Sequence, residues 1–309
     1  MRSVTIRAYA KINLSLDVKE RKDNGFHDVD MLMQSLAFCD DVQVDFVPSE
    51  NTGLSISLYP GSEELPADAG NIAFRAAVLM AEKAGGSISG DVQIRITKRI
   101  PIAAGLAGGS GNGAAVVHAL NLLWDLRMSL EEICEVCAEL GSDVPFSAVC
   151  QAAVNPELPD YLREDPLAST CVRAVGRGTI MKAVRGLDAP VVIAGPKLSV
   201  STAEVYRGFD RCEVLRRPDN DALEADMENG FSGDFSQFIN VLELYTLKAY
   251  PEVAELKAAM ERLGGLVTLM SGSGPTVFSI FEDDEQAEAV REQIAALGYT
   301  AYRTRTLLK

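Results

Sequence analysis

The chain has 309 residues, 47% of them apolar and 24% charged, with a formal net charge of −15. That length and composition exclude a disordered or fibrous chain and fit two domains, or one large one, with a substantial core. The acidity excludes a general binder of nucleic acid or anionic membranes. No run approaches the roughly 20 apolar residues of a membrane helix, and Arg2, Arg7 and Lys11 stand where a secretory signal needs an apolar stretch.

Residues 4–18 alternate as a strand, residues 33–47 read as a second, and Leu54 to Leu58 continue the β pattern. Asn71 is a helix N-cap, and the helix is expected from Ile72 to about Ala84. Val92 to Ile96 alternates strictly and leads through Lys98 and Arg99 into a glycine-rich run from Pro101 to Ala115. A helix is predicted over 112–124. Ser129-Leu130-Glu131-Glu132 forms a capping box that opens the next helix, which Gly141 closes. Residues 155–170 are acidic and broken by Pro156, Pro159 and Pro166, which predicts a surface insertion.

Beyond it come a short strand from Pro190 to Ala194 and a helix opened by the Ser201-Thr202-Ala203-Glu204 box. Further helices are expected at 236–248 and 251–263. Two strands, Leu266 to Met270 and Pro275 to Phe281, flank Ser271-Gly272-Ser273-Gly274, and a helix over 284–297 and a strand over 299–307 finish the chain. The class is α+β, without internal repeats. The six cysteines follow no framework spacing, as expected of free thiols in a reducing cytoplasm. Cys134 and Cys137 form one C-x-x-C inside a helical pattern, with no second pair to complete a metal site.

The glycine run carries the strongest chemical signal. Glycine admits positive φ and close approach of a ligand to the backbone, and a helix start offers free N–H groups and partial positive charge. Together they cradle an anion, most commonly a nucleotide phosphate, although a glycine cluster can also simply cap a core helix. The run lacks the Gly-Lys-Ser/Thr ending of a P-loop. No protein-kinase set, nucleophile elbow or zinc motif accompanies it. Three other spots stand out. Lys11, within Ala8-Tyr9-Ala10-Lys11-Ile12-Asn13, is either a cleft cation or a solvent-facing strand lysine. Asp143 is either a functional carboxylate or an N-cap. Ser271 to Gly274 is either a second ligand-facing turn or a hairpin turn.

Ala10-Lys11-Ile12-Asn13-Leu14, Pro101-x-x-x-Gly105-Leu106-x-Gly108-Gly109-Ser110 and Met270-Ser271-Gly272-Ser273-Gly274, in that order, resemble the three motifs of the GHMP kinase superfamily. These are small-molecule kinases related to homoserine and mevalonate kinases. Gly25-Phe26-His27, Leu140-Gly141-Ser142-Asp143-Val144-Pro145 and Ser201 to Tyr206 are further similar to its branch acting on 4-diphosphocytidyl-2-C-methyl-D-erythritol, in the non-mevalonate isoprenoid pathway.

The resemblance implies a ribosomal-protein-S5-like N-terminal domain, expected over 1–175, and a ferredoxin-like C-terminal domain over 176–309. It implies ATP with Mg²⁺, the phosphates on Pro101, Gly105, Leu106, Ala107, Gly108, Gly109, Ser110, Gly111 and Asn112, and Asn71 and Lys98 near the adenine. The small-molecule substrate would meet Asn13, Phe26, His27, Thr202, Tyr206 and Ser271, Gly272, Ser273 and Gly274, with Lys11 and Asp143 catalytic. Two positions depart from the family pattern: Gly111 stands where a second serine is usual, and Phe26 where tyrosine is commoner. A homoserine- or mevalonate-type kinase, or a nucleotide-binding module without catalysis, are the alternatives.

Overall fold

The computed structural model describes residues 1–21, 27–50, 52–86 and 88–309. Two long strands, β1 (Arg2–Arg21) and β2 (His27–Pro48), pair antiparallel and form the spine of the first sheet. β2 extends it through β4 (Gly90–Thr97) and β5 (Cys171–Gly176), with β3 (Leu54–Tyr59) parallel to β4 and β6 (Ile180–Ala183) antiparallel to β5. The strict alternation of β4 turns Val92, Ile94 and Ile96 inward. α1 (Ile72–Lys83), α2 (Gly108–Leu123), α3 (Leu130–Leu140) and α4 (Val144–Val154) cover this sheet.

Helix limits follow side-chain chemistry. Asn71 Oδ1 accepts from Ala73 N–H at 3.0 Å and starts α1. Ser129 and Glu132 exchange both capping-box bonds, and α3 ends at Gly141. α2 begins at Gly108, four residues before the expected start at 112. Glycine disfavours helix, but packing wins here. A Cβ at Gly113 would meet Ile72 Cγ2 at 2.5 Å, and one at Gly108 would meet Lys98 Nζ at 2.9 Å, so only glycine lets this turn lie against its neighbours.

The second sheet has the order β10-β7-β9-β8, all antiparallel, from β7 (Pro190–Gly195), β8 (Val267–Met270), β9 (Val277–Ile280) and β10 (Thr300–Arg305). With α9 (Pro251–Arg262) before β8 and α10 (Asp284–Ala296) before β10, this is the ferredoxin-like arrangement. Its other face carries Val191, Ile193, Phe278 and Ile280 into one buried cluster with Ala10, Ile12, Leu14, Leu32 and Leu36 of the spine. The two halves are therefore joined by a continuous apolar layer. α6 (Thr202–Phe209), α7 (Asn220–Glu228) and α8 (Glu243–Ala249) lie between β7 and α9 in the chain.

Three expectations need correction or relocation. Residues 155–170 keep Pro156, Glu157, Asp160, Tyr161, Glu164 and Pro166 exposed but are anchored by the buried Leu158, Leu162 and Ala168, with a short α5 (Asp160–Arg163) among them. Asn155 brackets the backbone of Arg7, accepting its N–H at 2.8 Å and donating to its carbonyl at 3.2 Å, so the segment covers the edge of β1. The helix expected at 236–248 starts only at Glu243, because 239–241 runs alongside β1 through Leu16 N–H to Ile239 O and Val241 N–H to Leu16 O. The expected domain limit at 175/176 falls inside β5, within a hairpin whose two strands both belong to the first sheet. We propose that the division lies in residues 184–189 instead.

His118 of α2 is fully buried, and its Nε2 lies 3.0 Å from the carbonyl of Ala148 in α4. Burial pushes its pKa down to about 4. The folded protein therefore keeps this ring neutral, whereas the unfolded chain protonates it near pH 6.5. Stability from this site is complete above pH 6.5 and is lost as pH falls towards 4, by about 2 kcal/mol at pH 5. His118→Gln is expected to lack this slope, read as the difference in urea midpoint between pH 7.5 and pH 5.0 in variant and parent. Among the described residues no helix is long and apolar enough to cross a membrane.

Candidate active site

A cavity of about 970 Å³ opens where the glycine loop, the middle of β1, the start of α4 and α6 converge. The middle of β1 is special. Ile6, Ala8, Leu16 and Val18 belong to the cluster under the helices, whereas Ala10, Ile12 and Leu14 belong to the cluster facing the second sheet. Register shifts between Tyr9 and Lys11, and between Asn13 and Ser15, account for the exchange. A bulge flips which face a residue presents. Between the two shifts, Lys11 and Asn13 share the face that lines the cavity.

Lys11 is almost fully buried. Its Nζ donates to Asn13 Oδ1 at 2.7 Å and lies 3.7 Å from Asp143 Oδ2. Asp143 stands at the N-cap of α4, yet its side chain makes no capping bond, so the N-cap reading does not hold for its carboxylate. The carboxylate is free to face the cavity. Among the described residues it is the only carboxylate there, set against Lys11, Arg21, Lys98, Arg177 and Arg207. Carboxylates behind the wall partner two of these cations, Asp40 with Lys98 and Asp210 with Arg21, so basic side chains are gathered at this opening although the chain carries a net charge of −15.

The loop before α2 has positive φ at Ala103, Gly105 and Ala107. Gly105 is obligatory, since a Cβ there would lie 2.6 Å from Ser271 O. The left-handed Ala107 turns the chain into α2, whose first intrahelical bond runs from Gly111 N–H to Ala107 O at 2.8 Å. The N–H groups of Gly108, Gly109 and Ser110 are left without a helical partner at the cavity wall. The loop is fastened on both sides. Lys11 N–H donates to Leu106 O at 3.1 Å, and Ser271 Oγ donates to Gly105 O at 3.0 Å. Asn240 in turn holds the second turn, donating to the carbonyls of Met270 and Gly272.

Asp40, fully buried near the middle of β2, anchors the approach to the loop. Oδ1 accepts from the N–H groups of Arg99 and Ile100 at 2.7 and 2.8 Å. Oδ2 accepts from Lys98 Nζ at 2.6 Å and Asn112 Nδ2 at 2.9 Å. Also lining the cavity, the rings of His27 and Tyr206 lie 5.2 Å apart at 40°. Burial, and secondarily the charge of Asp143, pushes the Tyr206 phenol well up.

Most of the expected residues meet here: Lys11, Asn13, His27, Asn71, Lys98, Pro101, Gly105, Ala107, Gly108, Gly109, Ser110, Asn112, Asp143, Thr202, Tyr206, Gly272 and Ser273 line the cavity. Leu106, Gly111, Ser271 and Gly274 stand behind its wall and shape it. Phe26 lies outside the described residues. A Cβ at Gly111 would meet nothing closer than Ala8 Cβ at 3.4 Å, so its side chain would point under the helix and not at a ligand. Cys134 and Cys137 pack inside α3, and burial pushes both thiols up, that of Cys134 to about 12. Lys11 and Lys98 were expected here; Asp40, Asp210 and the cavity arginines Arg21, Arg177 and Arg207 were not foreseen. The Asp40-Asp41 pair carried no local signal, because its partners lie more than fifty residues downstream.

Amide donors at a helix start beside a lysine–aspartate pair define a site for moving a phosphoryl group to a small molecule. Residues 71–151 match the GHMP kinases N terminal domain and residues 213–300 the GHMP kinases C terminal family. The chain is 40% identical, over 93% of its length and 91% of the relative's, to the 4-diphosphocytidyl-2-C-methyl-D-erythritol kinase of Geobacillus kaustophilus. It is 38% identical to that of Bacillus velezensis, over 97% and 96% of the two chains. A crystal structure of 4-(cytidine 5'-diphospho)-2C-methyl-D-erythritol kinase superposes with a TM-score of 0.75 at 29% identity, covering 98% of this chain and 99% of that one. Homoserine kinase from Cytophaga hutchinsonii shares the fold, with a TM-score of 0.71 at 18% identity, over 100% and 95%. The chain belongs to the GHMP kinase family and is an ATP-dependent small-molecule kinase.

Proposed function

We propose that this kinase transfers the γ-phosphoryl of ATP to a hydroxyl of 4-diphosphocytidyl-2-C-methyl-D-erythritol, giving the 2-phosphate, in the cytoplasm. The observation that carries the reading is the 3.7 Å Lys11–Asp143 pair, in one cavity with the open amides of α2 and the rings of His27 and Tyr206. One end of the cavity suits a triphosphate and the other a flat base.

Phosphoryl transfer asks mainly for alignment and charge neutralisation. The N–H groups of Gly108, Gly109 and Ser110 would hold the phosphates, aided by the start of α2. Asp143 would accept the proton of the attacking hydroxyl, while Lys11, fixed by Asn13, orients that hydroxyl and favours the ionised carboxylate. Among the described residues no three His, Cys, Asp or Glu gather to hold a metal by themselves. Ser110, at the start of α2, is an oxygen donor that would help to hold a Mg²⁺ arriving with ATP, and such an ion would supply charge neutralisation.

The direct test supplies ATP, Mg²⁺ and the cytidine substrate and measures ADP and product together. Substrate-dependent ADP release is expected. Turnover with homoserine or mevalonate, and none with the cytidine compound, would overturn the reading.

A further inference from the structure

We propose that Asp210 sets the base preference of the cavity by holding His27 as the Nε2–H tautomer, so that the ring offers an Nδ1 lone pair to the exocyclic amine of cytosine. The inference rests on the cytidine reading above and adds to it the residue that makes the choice of base.

Asp210 follows α6 directly, and each of its oxygens takes a different strand of the spine. Oδ1 lies 2.6 Å from His27 Nε2, and Oδ2 accepts from Arg21 Nη1 at 3.4 Å. Arg21 and His27 are themselves the last pair of the β1–β2 ladder. At the other end of α6, Thr202 Oγ1 is 2.9 Å from Ser273 Oγ in the second turn. α6 is thus fastened at both ends, and Tyr206, between the fastenings, packs against His27 with the rings tilted at 40° along the cavity wall.

A carboxylate only accepts, so the ring nitrogen bonded to it carries the proton. A neutral imidazole protonated at Nε2 is an acceptor at Nδ1. Cytosine presents an N4 amine donor where uracil presents the O4 acceptor. A lone pair facing O4 leaves two acceptors opposed, and a site built around one such hydrogen bond rejects the wrong partner strongly. Asp210 touches neither base nor phosphates in this scheme; it is a positioning residue acting through His27.

The chain has only two histidines, His27 and His118, so its imidazole ¹⁵N spectrum holds two sets of signals, which His118→Gln assigns. The ¹⁵N shifts of the whole protein should show His27 as the Nε2–H form, and Asp210→Ala should give a mixture of tautomers. In kinetics, Asp210→Ala should raise KM for the cytidine substrate about tenfold and cut the cytidine-to-uridine ratio of kcat/KM about tenfold, with KM for ATP and kcat moved less than about threefold. Asp210→Asn retains an acceptor oxygen and should restore most of the ratio. An Nδ1–H ring or an imidazolium at His27 in the parent, or an unchanged base ratio in Asp210→Ala, overturns the proposal while the cytidine reading stands. A parent enzyme indifferent to the base overturns both.

Discussion

Asp143→Asn is expected to lower kcat by about 10³-fold, within the range that loss of a positioned general base produces, while KM for ATP changes by less than about threefold. The geometry separates chemistry from folding at this residue. Asp143 sits at the N-cap of α4 without using its side chain there, so the amide removes no capping bond. The carboxylate is about one-third exposed, so its pairing with Lys11 adds little to stability. Asparagine fills the same space but cannot take a proton from the substrate hydroxyl. Steady-state ADP release at saturating substrates, with the urea midpoint measured alongside, reads both quantities. Near-normal turnover in a folded variant would remove Asp143 from the reaction and leave charge neutralisation at the loop as the whole of the chemistry.

Why Lys11 and Asp143 could be picked out together, while Asp40 and Asp210 could not, has a physical basis. Lys11 is a charged residue inside an apolar strand pattern, and the glycine run has a composition no core helix needs, so each is locally anomalous. Local rules also placed most strands and helices, because alternation, capping boxes and glycine stops act within a few residues. What escaped is decided by distant contacts. The two register shifts of β1 exist because the strand must serve one core at its ends and another in its middle, and nothing in Ala8 to Ser15 announces that change. The prolines of 155–170 signalled a break in regular structure, but a break is not the same as exposure: Leu158 and Leu162 fill the space that the irregular chain leaves. Phe238, Ile239 and Val241 favour extended chain, a local signal that the expected helix passed over, and Asn240 among them holds the turn at Met270 and Gly272.

The other large effect is expected at Asp40. Asp40→Asn keeps one oxygen for the N–H groups of Arg99 and Ile100 but turns an amide donor towards Lys98 Nζ and Asn112 Nδ2, both already donors. The ammonium of Lys98, whose side chain is 8% exposed, then lies buried without a counter-charge. Breaking such a pair from one side costs about 3–5 kcal/mol, most of it the penalty of the orphaned charge. The damage also reaches the phosphate loop. Lys98 Nζ lies beside Gly108, where a Cβ would come within 2.9 Å of it, so Asp40 fixes this ammonium next to the first turn of α2 and its loss frees a cation at the phosphate loop. The expected result is a lowered urea midpoint together with a rise of about tenfold in KM for ATP, and little change in KM for the second substrate. Adding Lys98→Met to the variant removes the stranded charge and should recover part of the lost stability, a coupling that two independent sites would not show. If the double variant is no more stable than Asp40→Asn alone, the four-donor arrangement around Asp40 is not what holds the loop, and the fastening falls to the contacts of Leu106 and Gly105 with Lys11 and Ser271.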